Sequence, residues 1–472
     1  MSIEICILDI KMNTISDTTN IIIKSLTNKE IVRLILSNKE QIQAIDFVTL
    51  FKDRFGKFKQ ELNLSNLPLI IANNITDEEQ KIAANKFIHF TRGFRIRHLF
   101  FDKSLQHYGN KEFAININEE RDYPRDLGYI KLCANEHGSH VVALKNDGSV
   151  FTIRSKTLEY LEEKFCEDPT DKDFVDVACG NSQSIGLKEN GSIVTWSNYK
   201  NDLVNSPNDT GYTAIACGKY HSIALKNDGK IVMWGMDNIN NTKYNFPDDK
   251  EYIEIDSGDY HGAALKNDGS ISIWGGKKQK RGNPVITSWT RESRFCPEGN
   301  DYIHIACKKD NTIALKNDKS FIIFNSNDIV YQGIYTLEFS TKEDLKKLLH
   351  FYENNSMDLY QNLSKDYVAT SYNSNKCYVN LKKDGGIQLQ IKHNFLKRIY
   401  GDNYEDEDVD VNKQFSFLEK CKFVQISSTI WRTLGLQYIN GEDEEEEDEE
   451  DENNDEEEIP SNYLDFDSLD DY

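Results

Sequence analysis

The chain is 472 residues long, 38% hydrophobic and 11% aromatic, enough for a large core or a repeat array with attachments. Its net charge of −22 is uneven: residues 442–472 hold 19 Asp and Glu and no Lys or Arg, leaving 59 acids against 56 bases elsewhere, so the body lacks the broad basic surface of a general nucleic-acid binder. No apolar run reaches the 18 residues of a membrane-spanning helix, and the nine cysteines form no CxxC pair, which argues against a disulfide framework or a zinc knuckle.

The opening "MSIEICILDIKMNT" has no small-residue cleavage site and does not read as a secretory signal. Free thiols in a reducing compartment are expected, hence an intracellular location, cytoplasmic or nuclear, without membrane association. Residues 1–128 form a helical region. Thr27-x-x-Glu30, Ser37-x-x-Glu40 and Thr76-x-x-Glu79 are capping-box signals, each opening an amphipathic stretch. Ile31, Leu34 and Ile35, then Ile42, Ile45, Phe47, Val48, Phe51 and Phe55, line apolar faces at helical spacing. Residues 26–55 resemble an F-box through Leu26, Glu30, Ile35 and "FVTLFKDRF", although Thr27 replaces the usual Pro and the Val-Cys pair is missing. That resemblance implies docking to a cullin-type ubiquitin ligase. The plainer reading is a helical cap packed on the next domain.

From residue 129 the chain repeats itself. "FVDVACGNSQSIGLKENGSIVTW" from Phe174, "YTAIACGKYHSIALKNDGKIVMW" from Tyr212 and "YIEIDSGDYHGAALKNDGSISIW" from Tyr252 align without gaps. Earlier and later copies start at Tyr129, Tyr302, Val368 and Phe423, and the equivalent leucines are Leu144, Leu187, Leu225, Leu265, Leu315, Leu381 and Leu436. Within a copy, Ile253 and Ile255 alternate with Glu254 and Asp256, the period of a strand. Asn267-Asp268-Gly269 is a hairpin turn, because Gly and Asn tolerate the positive φ it demands. The middle strand is apolar or small on both faces, so copies must stack, and a closed ring removes the exposed ends.

The third strands end in Trp-Ser or Trp-Gly, not the Trp-Asp of a WD40 repeat. Gly218, His221, Ala224-Leu225, Asp228-Gly229 and Trp234-Gly235, repeated as Gly258, His261, Ala264-Leu265, Asp268-Gly269 and Trp274-Gly275, resemble the regulator-of-chromosome-condensation repeat. The resemblance spans residues 129–441. It implies a mainly β fold, a seven-bladed β-propeller whose ring closes by pairing strands from its two ends. The family's best-known member is a guanine-nucleotide exchange factor for a small GTPase. Only framework positions match here, so that activity does not carry over with the resemblance.

His140, His221 and His261, and Cys179, Cys217 and Cys307, recur once per copy and would be spread around a ring. Gln183 and Asn311 stand in the His position, which suits a hydrogen bond and not a metal site. Neither a metal, a cofactor nor a catalytic residue is expected, and no GxSxG, HExxH, P-loop or dinucleotide fingerprint occurs in proper context.

Two insertions interrupt the array. Residues 277–294 carry Lys277, Lys278, Lys280, Arg281, Arg291 and Arg294 against Glu292 alone. They read as a solvated loop or as a contact for an anionic partner, with Trp289 as anchor. In residues 326–366, Ser340-x-x-Glu343 opens a helix whose Leu345, Leu348, Leu349 and Tyr352 share a face, for a partner or for its own propeller. The tail, residues 442–472, is too acidic to fold and is expected to be disordered. Its Tyr463, Leu464 and Phe466 mark a short partner-binding segment. The leading functional reading is a monomeric, non-catalytic protein-interaction scaffold. The alternatives are a substrate receptor of a ubiquitin ligase and a nucleotide exchange factor, with a ubiquitin-ligase component, a small GTPase or a basic chromatin protein as partner.

Overall fold

The first helix, α1 (Asn28–Ser37), begins at the expected capping box: Glu30 N donates to Thr27 Oγ1 at 3.3 Å and Thr27 N to Glu30 Oε2 at 2.8 Å. Helix α2 (Phe47–Phe55) is capped by Asp46, which accepts from Thr49 N, while Ser37 ends α1. Helix α3 (Glu78–Arg92) starts one residue later than the Thr76 box predicts, because Asp77 accepts from Gln80 N. Ile31, Ile35, Phe47, Leu50, Phe55 and Phe87 are buried together. The computed structural model describes residues 26–37, 45–58, 62, 64, 67, 75, 77–101, 126–135, 140–154, 167–181, 183–197, 206–219, 221–235, 250–275, 296–325, 329–334, 342–353, 367–373, 377–391, 421–429 and 432–439.

Strand β1 (Arg95–Phe101) follows α3 directly. The repeats then form antiparallel sheets in chain order. The first is β2 (Tyr129–Ala134), β3 (His140–Lys145) and β4 (Val150–Arg154); the second is β5 (Phe174–Cys179), β6 (Gln183–Lys188) and β7 (Ile193–Ser197). The third holds β8 (Tyr212–Cys217), β9 (His221–Lys226) and β10 (Ile231–Gly235), and the fourth β11 (Tyr252–Ser257), β12 (His261–Lys266) and β13 (Ile271–Gly275). The fifth has four strands, β14 (Tyr302–Lys308), β15 (Asn311–Lys316), β16 (Ser320–Phe324) and β17 (Ile329–Ile334), and is followed by α4 (Lys342–Glu353). The sixth is β18 (Tyr367–Asn373), β19 (Cys377–Lys382) and β20 (Ile387–Ile391). The last copy supplies only β21 (Lys422–Ser428) and β22 (Arg432–Tyr438), and β1 completes it by pairing with β22, Ile96 opposite Leu436. Seven sheets thus lie among the described residues, and the seventh takes its outer strand from the region ahead of residue 129.

The sheets are stitched at both ends of their strands. The turn residue before each third strand accepts a hydrogen bond from the first strand of the next sheet: Phe174 N to Gly148 O, Tyr212 N to Gly191 O, Tyr252 N to Gly229 O, Tyr302 N to Gly269 O and Phe423 N to Gly385 O, at 2.7 to 3.2 Å. At the opposite end Asn181 N reaches Lys219 O, Lys219 N reaches Asp259 O, and Asp259 N reaches Lys309 O. First strands touch first strands, β2 to β5, β5 to β8, β8 to β11, β11 to β14, β18 to β21 and β21 back to β2, so they form the inner lining. Between the fifth and sixth sheets α4 contacts β14, β15 and β18. Its Leu345, Leu348 and Leu349 are buried against Ile313, Phe321 and Ile323, so this helix docks on its own sheets.

In the fifth sheet the turn carries Lys319 at φ +67° where five other copies carry Gly. Lys319→Gly relieves a left-handed strain of roughly 1–2 kcal/mol, less the freedom a glycine adds to the unfolded chain. The expected net gain is about 0.5 kcal/mol, read as a higher urea midpoint; a lower midpoint would show that the Lys319 side chain contributes packing there.

Candidate functional site

The repeated histidines sit at the start of each middle strand and face the next sheet. His140 Nε2 lies 2.7 Å from Ser184 Oγ, His221 Nε2 2.8 Å from Ser257 Oγ, and His261 Nε2 2.8 Å from Thr312 Oγ1. Gln183, which stands in the His position of the second sheet, donates to Ser222 Oγ at 3.0 Å. Each side chain therefore latches one sheet to its successor. The glycine three residues earlier makes room: a Cβ at Gly218 or Gly258 would stand 2.2 and 2.3 Å from the Cε1 of His221 and His261. His261→Ala removes the stronger partner of the buried Thr312 hydroxyl, which keeps Cys307 Sγ at 3.5 Å, and is expected to cost about 1–3 kcal/mol, whereas His261→Gln, which copies the second sheet, costs less than about 1 kcal/mol. Urea unfolding of the two variants checks this, and equal losses would mean that the ring packs without latching.

The inner strands carry a second set of polar groups. The residue two positions after each leading aromatic follows a bulge and contacts the neighbouring sheet. Lys131 Nζ lies 2.5 Å from Asp176 Oδ1, and His304 Nδ1 lies 2.9 Å from Glu254 Oε2. Gln425 joins the last sheet to the first, accepting from Leu132 N at 2.7 Å and donating to Leu132 O at 3.0 Å. From α4, Lys342 donates to Ile255 O at 2.6 Å and lies 3.2 Å from Asp256 Oδ1. Burial alone would raise the Asp256 pKa, but Lys342 and Lys346 override it and hold the carboxyl below its ordinary value. Burial likewise opposes the charge on Lys131, and Asp176 more than offsets it, so Lys131 titrates above its usual range.

Four thiols adjoin this strip, Cys307 on β14 among them. Cys133 is half-buried on β2, Cys179 is buried on β5, and Cys217 is half-buried on β8. The Cys179 thiol donates to Cys133 O at 3.1 Å, and the two side chains pack in one cluster. The Cys179 side chain, with Lys131 and Lys346, outweighs burial and Asp176 and holds Cys133 below its ordinary value. Burial pushes Cys179 and Cys217 up. The strip holds paired charge and thiols in a confined space.

The exposure of the second residue of the first strand distinguishes the sheets. Ile130, Val175 and Val424 are 0%, 5% and 3% exposed, whereas Ile253 and Ile303 on the adjoining fourth and fifth sheets are 55% and 37% exposed. The helical region docks on the first two sheets, where Asn146 Nδ2 donates to Phe90 O at 2.7 Å and Lys57 meets Glu189 at 2.9 Å. Its apolar residues, Ile31, Ile35, Phe47, Leu50 and Phe55, are turned inward.

Sequence reasoning pointed elsewhere for binding. Lys277, Lys278, Lys280, Arg281, Trp289, Arg291, Arg294, Tyr463, Leu464 and Phe466 all lie outside the described residues, as does the acidic tail. The inner strip was missed, though its signal was present: aligned copies put Lys131 beside Asp176, and Glu254 beside His304, in one column.

A family model of the regulator of chromosome condensation (RCC1) repeat matches residues 212–241, which include the third sheet. No curated relative matches the chain. Among solved structures, Prp20p of Saccharomyces cerevisiae, described with its binding to Gsp1p and histones, is 15% identical; 77% of this chain and 98% of that one are covered, with a TM-score of 0.41. Yeast RCC1 (Prp20) bound to Kap60 is also 15% identical, over 76% and 92% of the two chains, with a TM-score of 0.40. The CRINKLY WD40 ectodomain of the Arabidopsis thaliana receptor kinase ACR4 is 13% identical, over 50% and 73%, with a TM-score of 0.33.

Proposed function

Because the chain is built on the regulator of chromosome condensation repeat, we propose that its sheets are blades of a closed seven-bladed propeller that binds protein partners and has no catalytic activity. Residues 129–441 would be the ring, residues 1–128 its helical attachment and the source of the closing strand, and residues 442–472 an acidic extension. The observation that carries the non-catalytic reading is the use of the recurring His and Gln side chains as latches between sheets. These recurring side chains are used in assembly. What is left for a partner is the surface, and Ile253 and Ile303 are exposed apolar residues on adjoining sheets, away from the first two sheets that receive the N-terminal helices. The free cysteines suit the reducing interior of a cell.

The test is affinity capture with the full chain and with the Ile253→Asp/Ile303→Asp double variant, alongside a nucleotide-release assay on a panel of small GTPases. The expected result is a protein partner held by the full chain and lost in the variant, with nucleotide release unchanged. Accelerated release from any GTPase would replace this reading with an exchange factor. Recovery of cullin-complex subunits by both proteins would replace it with a ligase receptor.

A further inference from the structure

Cys133 and Cys179 stand on neighbouring inner strands, β2 and β5, of the first two sheets. The Cys179 sulfur is 3.1 Å from the backbone oxygen of Cys133, and the two side chains belong to one packed cluster. The pair is asymmetric. Cys133 is half-buried, with Lys131 two residues away on the same side of β2 and Lys346 of α4 as a second cation acting on it; Asp176 is the opposing charge. Cys179 is 5% exposed and surrounded by apolar residues such as Val177 and Trp196. Cations beside an accessible thiol favour the thiolate, the form that attacks disulfides, and a buried second thiol in contact is placed to resolve the product.

We propose that Cys133 and Cys179 are an oxidisable dithiol, a modification site at which a low-molecular-weight disulfide such as oxidised glutathione creates a covalent staple between the first and second sheets. The Cys133 thiolate attacks one sulfur of oxidised glutathione; a Cys133–glutathione bond forms, the glutathione S–S bond breaks, and the departing thiolate takes a proton from water. Cys179 then loses its proton to water and attacks Sγ of Cys133, expelling the second glutathione as thiolate, which is protonated in turn. Two protein thiols and one disulfide become one protein disulfide and two glutathione thiols, with two electrons passing to glutathione. The burial that raises Cys179 makes the second step the slow one. The inference does not rest on the partner-binding reading.

The experiment treats the full chain with oxidised glutathione, blocks the remaining thiols by alkylation, and maps peptides by mass spectrometry without reduction. The expected product is a cross-linked peptide pair containing Cys133 and Cys179, short of two hydrogens, with an unfolding midpoint raised by about 5 °C and restored by dithiothreitol. Cys179→Ser should instead accumulate glutathione on Cys133, and Cys133→Ser should leave Cys179 reduced. A wild-type chain that keeps glutathione on Cys133 without a cross-link, that links Cys133 to another cysteine, or that leaves Cys133 untouched overturns the proposal. Both variants are conservative. Far-ultraviolet circular dichroism establishes their folding before exposure, and should either fail to fold, the wild-type cross-link map alone decides.

Discussion

Ile96→Asp is expected to abolish the cooperative unfolding transition of the sheet array. Ile96 is 0% exposed in β1, opposite Leu436 of β22, and packs with Leu132, Val424, Leu434 and Leu436 from the first and last sheets. Removing the apolar side chain alone costs about 2–5 kcal/mol. A carboxyl placed there has to be buried without a counter-charge or hold a proton, which adds several kcal/mol more. The sum exceeds about 5 kcal/mol, against a total stability of about 5–15 kcal/mol for a typical domain. The damage spreads because β1 touches two sheets at once. Phe94, one residue before it, exchanges hydrogen bonds of 2.9 and 3.1 Å with Tyr129 at the head of β2. Losing β1 therefore exposes the edge of β22 and unpins the first sheet. Amide hydrogen exchange should show both β22 and β2 losing protection, while Ile96→Val, at about 0.5–1.5 kcal/mol, leaves both protected. If only β22 loses protection, β1 is an added edge strand and not a bridge between the last sheet and the first.

The contrast between β1 and the repeat strands shows what a sequence of this kind discloses. Each hairpin was legible because its signals are local: alternation over five or six residues, then Asn-Asp-Gly or its equivalent. The first capping box was legible for the same reason, and the Thr76 box missed by one residue only because Asp77 offers a competing acceptor. Strand β1 gave no such signal. It has no hairpin partner beside it, and its pairing partner Leu436 lies 340 positions away. Strand β17 was likewise hidden in an insertion, since "IVYQGI" carries no repeat landmark. The inner strip was intermediate. Lys131 and Asp176 stand at matching positions of neighbouring copies, so a ring model brings them together. The contribution of Lys342 and Lys346 was beyond reach, because nothing in "KEDLKKLLHFYE" says which sheets the helix enters between. The residues chosen for partner binding were chosen by charge and aromaticity, which mark surface and carry no information on position.

Gly269→Ala should be among the most damaging single-methyl additions in the chain, and the reason is the next sheet and not the turn itself. Five turn glycines share nearly one backbone conformation: Gly148, Gly191, Gly229, Gly269 and Gly385 have φ of 81°, 77°, 77°, 81° and 82°. An alanine at any of them meets the same left-handed strain, roughly 1–2 kcal/mol. Their surroundings differ. A Cβ would stand 2.2 Å from Asn300 O at Gly269, 2.3 Å from Lys172 O at Gly148 and 2.5 Å from Glu251 N at Gly229, all backbone atoms of the approaching segment. At Gly191 the nearest atom is 3.0 Å away, and at Gly385 it is 3.3 Å away. Backbone cannot swing aside as a side chain can, so the first three substitutions must push the next sheet outward. That stretches the bond from Tyr302 N to Gly269 O, already 3.2 Å, and adds overpacking of about 1–3 kcal/mol. The expected series of urea-unfolding losses is about 3–4 kcal/mol at Gly269 and Gly148, somewhat less at Gly229, and about 1–2 kcal/mol at Gly191 and Gly385. Five equal losses would reduce these glycines to ordinary turn residues. A graded series following the approach distances would show that stability in this array is set where one sheet's turn receives the strand of the next.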